Sequence, residues 1–598
     1  MCGISAVYRY ESLLDADILK MTAMNQEMYY RGPDDEGVWN DTHCAMAQVR
    51  LSIIGLTKGK QPLFNEDKTL VLICNGEIYN YLEIRNNLLS KGHVFSSDSD
   101  SETILHLYEE YGTDCLKHLR GMFAFCLWDS QKQQLFVARD RIGEKLLYYA
   151  HVPGGVVCSS ELKAILKNYI HQPQVLLEQL AAPIRYTAPT SKSDTYIDQI
   201  KRIEPGQYLI INKTGIQKHR YWKRDHTDRF MGGLAEAKEE TLRLMRESVD
   251  MCLRSDVPVA VMLSGGIDSS AIAALAKEKG REVHTITAGY KGNHSVDERE
   301  VAKRFAKEQG FIYHEVELDE SDFKNCFNEF TEHIDEPITD SAALAQWALY
   351  KKVKSLGFKV LLGGMGGDEL FYGYPYWNKL AESLRLHRQH QALFPWKGYN
   401  KKKKYLEFIL KNWKYILYAG HPLKIADSSI CYWMHADYKK FADKAYFLYG
   451  DQNHSFSDVN LYQAFGNTEP GKEIDIVYDF SFDNIMTMAY LYLADREGMG
   501  NSIEIRSPLL DYKLVEFVSS LPVEIKYNSD NPKYFLKEVL RGIVPDYILD
   551  APKKGFTPPN DFIKEVVNSY QYKSIKSDYK FYNSILADRV LSLYINKK

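Results

Sequence analysis

Hydrophobic and polar positions change rhythm partway along this chain. Up to about Tyr208, short apolar runs of strand length dominate: LVLICNG (70–76), FAFCLWD (123–129) and QLFVARD (134–140). The turn segments RGPDDEG, KGKQP, PGG and EPGQ separate them. Strand-length runs closed by Gly, Pro and Asp predict layered antiparallel sheet. One stretch, NYLEIRNNLLSKG (80–92), places apolar residues at helical spacing before a glycine stop. From 211 to 235, beginning INKTGIQKHRYWKRDHTDRF, the chain is polar and charged and is expected to be a linker.

From about residue 236 a different pattern takes over. VPVAVMLS (257–264) is a continuous apolar strand, and SAIAALAKEKG a helix ending on glycine. EVHTITAGY, DEREVAKRFAKEQG and FKVLLGG (358–364) then read as strand, helix and strand. Such alternation predicts a parallel, doubly wound sheet. Residues 375–480 interrupt it with an aromatic, lysine-rich helical insertion that includes WKGYNKKKKYLEFILKNWKYILY. The KKKK run reads either as solvated surface or as a basic cap over an anionic substrate. There are no internal repeats.

At 598 residues the chain is too long for one core, so a domain over 1–210 and another over 236–598 are expected. The net charge of -4 argues against a nucleic-acid partner, and no stretch is apolar enough to insert in a bilayer. No secretory signal is expected at the N-terminus. The 9 cysteines are odd in number and scattered without a C-x-x-C pair, which favours reduced thiols in the cytoplasm over disulfides or zinc. His387 and His390 sit in a polar helical run and are expected to face solvent.

Candidate chemistry lies in three places. The chain opens MCGISAVYRY, and removal of Met1 would leave Cys2 with a thiol beside its own α-amine. That is the arrangement of an activated nucleophile, although a small apolar residue opening a strand is the plainer reading. LSGGIDSS (263–270) joins an apolar strand to a helix. Gly265 and Gly266 permit close backbone approach to an anion, Ser264, Ser269 and Ser270 add hydroxyl donors, and Asp268 is a candidate Mg2+ ligand. The loop lacks the Walker lysine. It resembles the S-G-G-x-D-S loop of ATP pyrophosphatases, which split ATP between the α and β phosphates. GGMGGDELFYGY (363–374) ends another strand, so Asp368 can face the same site and complete a Mg2+ pair with Asp268.

Together these landmarks resemble the glutamine-hydrolysing asparagine synthetases over nearly the whole chain. MCGI, RGPDDEG, RLSIIGLTKGKQP (50–62), CNGEIYN (74–80), SDSETIL (99–105), ARDRIGEK (138–145), SSELKA and EPGQY resemble a class II glutamine amidotransferase domain. SGGIDSS, HIDEPITDSAAL (333–344), GMGGDELFYGY, DREGMGNSIEIRSPLLD (495–511) and KYFLKEVLRGIVPDYILDAPKKGF (533–556) resemble the synthetase domain. The resemblance implies a four-layer αββα Ntn-hydrolase sandwich followed by a doubly wound parallel-sheet ATP pyrophosphatase (adenine nucleotide α-hydrolase-like) domain. It implies Cys2 as nucleophile, Asn75 and Gly76 as oxyanion donors, and Arg50, Glu77 and Asp100 as glutamine-binding residues. In the second domain it implies that Lys553 reaches the adenylate or pyrophosphate and that Asp495 and Arg496 line the acceptor pocket. Glu504, Arg506 and Asp511 are expected to tie helix ends together. Glutamine, ATP with Mg2+, and a small carboxylate acceptor are the expected ligands, ammonia is expected to pass internally, and a homodimer is the expected assembly.

Four positions depart from the family pattern. Met365 replaces the usual glutamate of the acidic turn and can neither accept a proton nor pair with ammonium. Tyr30 replaces a His, Leu146 a Pro and Pro552 an Arg. The insertion suits either a bulkier acceptor or simple packing against the synthetase helices. Three functions therefore stand: amidation of aspartate, the same chemistry on another carboxylate such as a uronic acid of a surface polysaccharide, or a degenerate binding protein. Intact SGGIDSS, Asp368 and Cys2 speak against the last.

Overall fold

The computed structural model describes residues 2–176, 191–224, 229–292, 297–336, 341–375, 473–552 and 555–569, with Gln179, His294, Trp377, Asn378 and Ala381 between them. Lys553, His387, His390 and nearly all of the insertion expected at 375–480 lie outside the described residues.

The first domain comprises β1 (Cys2–Arg9), α1 (Asp15–Met28), β2 (Asp35–Asn40), β3 (Cys44–Arg50), β4 (Leu63–Phe64), β5 (Leu70–Ile78), α2 (Tyr81–Ser90) and α3 (Glu102–Tyr111). It continues with β6 (Gly121–Asp129), β7 (Gln134–Arg139), β8 (Tyr148–Val152), β9 (Gly155–Ser159), α4 (Leu162–Tyr169), β10 (Ile200–Arg202), β11 (Gln207–Asn212) and β12 (Gly215–Arg220). Two six-stranded sheets form, in the orders β10-β8-β9-β1-β3-β2 and β12-β11-β7-β6-β5-β4. Ile4, Tyr8, Ile73, Trp128 and Val137 fill the space between them. Met21, Met24 and Met28 of α1 and Ile165 of α4 cover one outer face, and Leu88 of α2 with Ile104 and Leu107 of α3 cover the other. The result is the four-layer αββα sandwich. Its inner strands face a second sheet on one side and helices on the other, which is why LVLICNG and FAFCLWD are apolar throughout rather than alternating.

The expected linker from 211 needs correction. β12 pairs antiparallel with β11 from Gln207↔Arg220 to Asn212↔Gly215, so the first domain extends to Arg220. Its sequence GIQKHR is polar because β12 is an exposed edge strand, where charge discourages further pairing.

The second domain begins with the helix Leu234–Cys252 and continues through β13 (Val259–Met262), β14 (His284–Tyr290), β15 (Ile312–Leu318), β16 (Val360–Leu362) and β17 (Glu504–Arg506). These strands are all parallel, in the order β15-β14-β13-β16-β17. Helices Ile267–Lys277 and Arg299–Gln309 follow β13 and β14 as crossovers. The winding direction reverses between β13 and β16, and the crevice beyond that point is where doubly wound sheets bind ligands. No helix among the described residues is long and apolar enough to cross a membrane. The eight described cysteines are all free and buried.

Candidate active sites

Cys2 opens β1 and is buried, with its backbone N–H donating to Asn75 Oδ1 at 2.9 Å. Asn75 lies on β5 within the second sheet, so this bond joins the two sheets at the end of the sandwich. With Oδ1 so engaged, Asn75 Nδ2 is left buried without a hydrogen-bond partner. A buried unpaired donor is costly, which makes it a ready receptor for a developing oxyanion. Gly76 is required next to it, since a Cβ there would stand 2.1 Å from the Met122 carbonyl oxygen. Burial pushes the Cys2 thiol up, opposed by the Arg50 guanidinium and the Leu51 backbone N–H.

Arg50, opposite Cys2 in the β1–β3 register, donates through Nη2 to the carbonyls of Ile54 (3.0 Å) and Gly55 (2.9 Å). Asp100 accepts from the Ile78 N–H at 2.7 Å. Glu77 and Asp100 are both buried, and burial raises both carboxyls. Asp100 and Glu504 add to the effect on Glu77, and Arg506 opposes it. Gln61 was not singled out in the sequence. Its amide clamps the Cys74 backbone (Nε2 to O 3.1 Å, Oε1 from N 2.6 Å) and lies 3.9 Å from Cys2 Sγ. Its place in the turn segment KGKQP is the only sequence signal for it.

The second cluster sits at the switch point. Ser264–Ser269 runs from the loop after β13 into the first turn of the helix Ile267–Lys277, with Gly265 at φ +78°. Ser269 Oγ meets Ser264 Oγ at 3.0 Å, and the Ser264 N–H donates to Ser269 Oγ at 3.1 Å. The Gly266 N–H donates to Ser264 Oγ at 3.3 Å. The loop after β16 packs directly on it, since a Cβ on Gly367 would stand 2.3 Å from the Asp268 carboxyl carbon. Asp268 and Asp368 thereby converge on one cation, the ammonium of Lys533, which hydrogen-bonds Asp268 and lies 2.8 Å from Asp368 Oδ1. Burial opposes charge on Lys533, but the two carboxylates outweigh it and hold the ammonium above its usual range. Two carboxylates from the first turns of separate helices sharing one cation form a hard-oxygen donor set that fits Mg2+. Met365, between Gly364 and Gly366, packs on the apolar core of this domain. Burial and Asp368 push the adjacent Glu369 up to about 7, with the Tyr374 hydroxyl donating to it at 2.5 Å.

Asp495 and Arg496 were expected at an acceptor pocket, but both side chains are sealed in the domain interface. Arg31 of the RGPD segment bonds both Asp495 oxygens at 3.0 and 3.1 Å. Arg496 reaches Glu161 at 2.7 Å and Asp335 at 3.0 Å, and all of these side chains have 0% exposure. Tyr30, in place of the family histidine, donates to Glu161 at 2.5 Å. Asp511 does cap a helix, accepting from the Lys513 and Leu514 N–H groups, and also pairs with Arg120 of the first domain. Glu504 and Arg506 lie on β17, from which Arg506 reaches the C-terminal end of the helix Leu234–Cys252, as expected. Arg506 Nε donates to Glu504 at 2.5 Å, Nη1 to the carbonyls of Cys252 and Arg254, and Nη2 faces Glu77 at 3.4 Å. Its own carbonyl accepts from the Gly363 N–H at 2.9 Å, at the start of the GGMGGDE loop. Arg506 thus links the two clusters physically.

Comparison with known proteins fits this geometry. A glutamine amidotransferase domain profile matches residues 1–222, and an asparagine synthase profile matches residues 240–587. The chain belongs to the asparagine synthase family. Asparagine synthetase [glutamine-hydrolyzing] 1 of Bacillus subtilis is 30% identical over 97% of this chain and 92% of its own length. Two fungal proteins are similar to about the same degree. Amidase chyE of Penicillium rubens is 30% identical over 89% of this chain and 84% of its own. Amidase chry2 of Gibberella zeae is 28% identical over 94% and 89%. This member of the asparagine synthase family is accordingly a glutamine-hydrolysing carbon–nitrogen ligase of asparagine synthase type, in a family that uses ATP.

Proposed function

We propose that this enzyme releases ammonia from glutamine at Cys2 and uses it to amidate aspartate that ATP has activated, working in the cytoplasm as a homodimer. Once Met1 is removed, the Cys2 α-amine takes the thiol proton as Sγ attacks the glutamine side-chain carbonyl carbon. Asn75 Nδ2 and the Gly76 N–H hold the resulting oxyanion. Arg50 pairs with the glutamine carboxylate, and Glu77 and Asp100 hold its ammonium. The C–N bond breaks to give ammonia and a thioester, which water hydrolyses to glutamate.

In the second domain the acceptor carboxylate attacks the α-phosphorus, and the bond to pyrophosphate breaks. Ser264, Ser269, the backbone N–H groups around Gly265 and Gly266, Lys533 and Lys553 hold the departing anion. Mg2+ held by Asp268 and Asp368 would neutralise phosphate charge when bound with ATP. Ammonia then displaces AMP from the acyl carbon. The observation that carries this reading is the convergence of Asp268 and Asp368 on a single cation at the switch point.

Similarity along nearly the whole chain to a bacterial asparagine synthetase supports aspartate as acceptor. A second reading, another carboxylate such as a uronic acid, draws on Met365 and on the equal similarity to proteins named amidases. Pyrophosphate release from ATP, glutamine and a panel of carboxylates separates them. Aspartate-dependent release is expected. Glutaminase activity without it, together with release on a nucleotide-linked uronic acid, would select the second reading.

A further inference from the structure

Away from both active sites, on the outer layer of the first domain, Glu66, His93, His106 and Glu109 each bring one donor atom within 4.8 Å of the others. They come from three segments: the β4–β5 turn, the loop after α2, and adjacent turns of α3. His106 Nδ1 lies 2.9 Å from Glu109 Oε2 and 3.7 Å from Glu66 Oε2, and His93 Nδ1 lies 3.3 Å from Glu109 Oε2. Metal–ligand bonds of about 2.0–2.1 Å in a tetrahedron place ligand atoms about 3.3 Å apart, the middle of this range.

The outer atoms of the same four side chains form a second, independent pattern. Glu66 Oε1 accepts from the Val94 N–H at 2.9 Å, and Glu109 Oε1 accepts from Asn65 Nδ2 at 2.9 Å. His93 turns Nε2 to Glu110 at 3.2 Å, and His106 turns Nε2 toward Glu102 at 3.7 Å. Glu102 is itself fixed by the Ser96 and Ser97 N–H groups at 2.6 and 2.7 Å. His93 therefore aims Nδ1 inward and Nε2 at a carboxylate, the arrangement that orients a metal-bound histidine, while His106 aims Nδ1 inward and its Nε2 makes no hydrogen bond.

We infer that Glu66, His93, His106 and Glu109 bind a divalent transition metal of the zinc class, with Glu110 orienting His93. Two imidazole and two carboxylate donors suit Zn2+ or Co2+ over Mg2+. The metal clips the β4–β5 turn and the post-α2 loop to α3. The segment entering α3 carries Asp100, so the clip also steadies one wall of the glutamine site.

The test uses the full chain, with excess magnesium to occupy the Asp268–Asp368 pair. Metal analysis after incubation with Zn2+ and gel filtration is expected to give about one zinc per chain, and Co2+ to give the intense visible bands of a four-coordinate site. Glu66→Gln, on the exposed rim, and His93→Gln should each lose the retained zinc and the cobalt bands while keeping the wild-type circular dichroism. Glu110→Gln should weaken binding by about 10-fold or more. An ion-pair cluster only would show no retained zinc and weak six-coordinate cobalt absorption. That outcome, or full retention in both Glu66→Gln and His93→Gln, overturns the inference.

Discussion

The sharpest mutational consequence concerns Asn75. In Asn75→Ala the unpaired Nδ2 donor disappears, and so does the acceptor that fixes the Cys2 backbone nitrogen at 2.9 Å. Loss of one oxyanion donor costs about 10²–10³ in turnover, roughly 2.7–4 kcal/mol. Loss of one buried hydrogen bond at the nucleophile adds about 1 kcal/mol. The expected fall in glutaminase kcat is therefore about 10³-fold. Arg50, Glu77 and Asp100 are untouched, so KM for glutamine should move little. Asn75 touches nothing in the second domain that the mechanism uses, so amide synthesis driven by ammonium salts should remain near wild type. Parallel assays of glutamate release and of AMP formation, the latter with ammonium chloride in place of glutamine, separate the two effects. A glutaminase loss below about 10-fold, or an equal loss of ammonium-driven synthesis, would refute the assignment of Asn75.

Three further outcomes follow from the geometry. Lys533→Gln removes the cation shared by Asp268 and Asp368, so pyrophosphate release should fall by about 10-fold or more while glutaminase activity persists, with both followed on one preparation. Arg506→Met strands Glu504 and Glu77 as buried carboxylates without their guanidinium; breaking such a pair costs about 3–5 kcal/mol, read as a lower denaturation midpoint together with a raised KM for glutamine. His333 is pushed down to about 4 by burial and then by Lys163, against an ordinary value near 6.5. The folded state then binds fewer protons than the unfolded state between those values, so stability rises with pH across about 4 to 6.5 and is lost on acidification. His333→Gln should flatten that limb in a Tm-versus-pH series.

The fold was legible where burial repeats locally. Apolar runs between Gly–Pro turns predicted layered antiparallel sheet, and strand–helix alternation the parallel sheet, because both patterns are written within about ten residues, whereas the four-layer sandwich came from the family resemblance. β12 was not legible, since an edge strand with solvent on it is as polar as a linker. At the sites, Ser264, Asp268 and Asp368 were candidates because each lies in a compact motif, while Cys2 as nucleophile and Asn75 as oxyanion donor came from the family resemblance. Lys533 was not among them, being 265 positions from its partner Asp268. The same reason hid the interface role of Asp495, which is 464 positions from Arg31. His93 and His106 have no motif spacing, and only the folding of α3 against the preceding loop brings them together.

The central claim is that one chain moves the side-chain nitrogen of glutamine onto aspartate at the expense of ATP. It is tested most directly by supplying amide-15N glutamine, ATP, magnesium and aspartate, then measuring labelled asparagine by mass spectrometry and AMP on the same samples. One 15N-asparagine per AMP is the predicted result. Accumulation of glutamate with neither labelled asparagine nor aspartate-dependent AMP would contradict it.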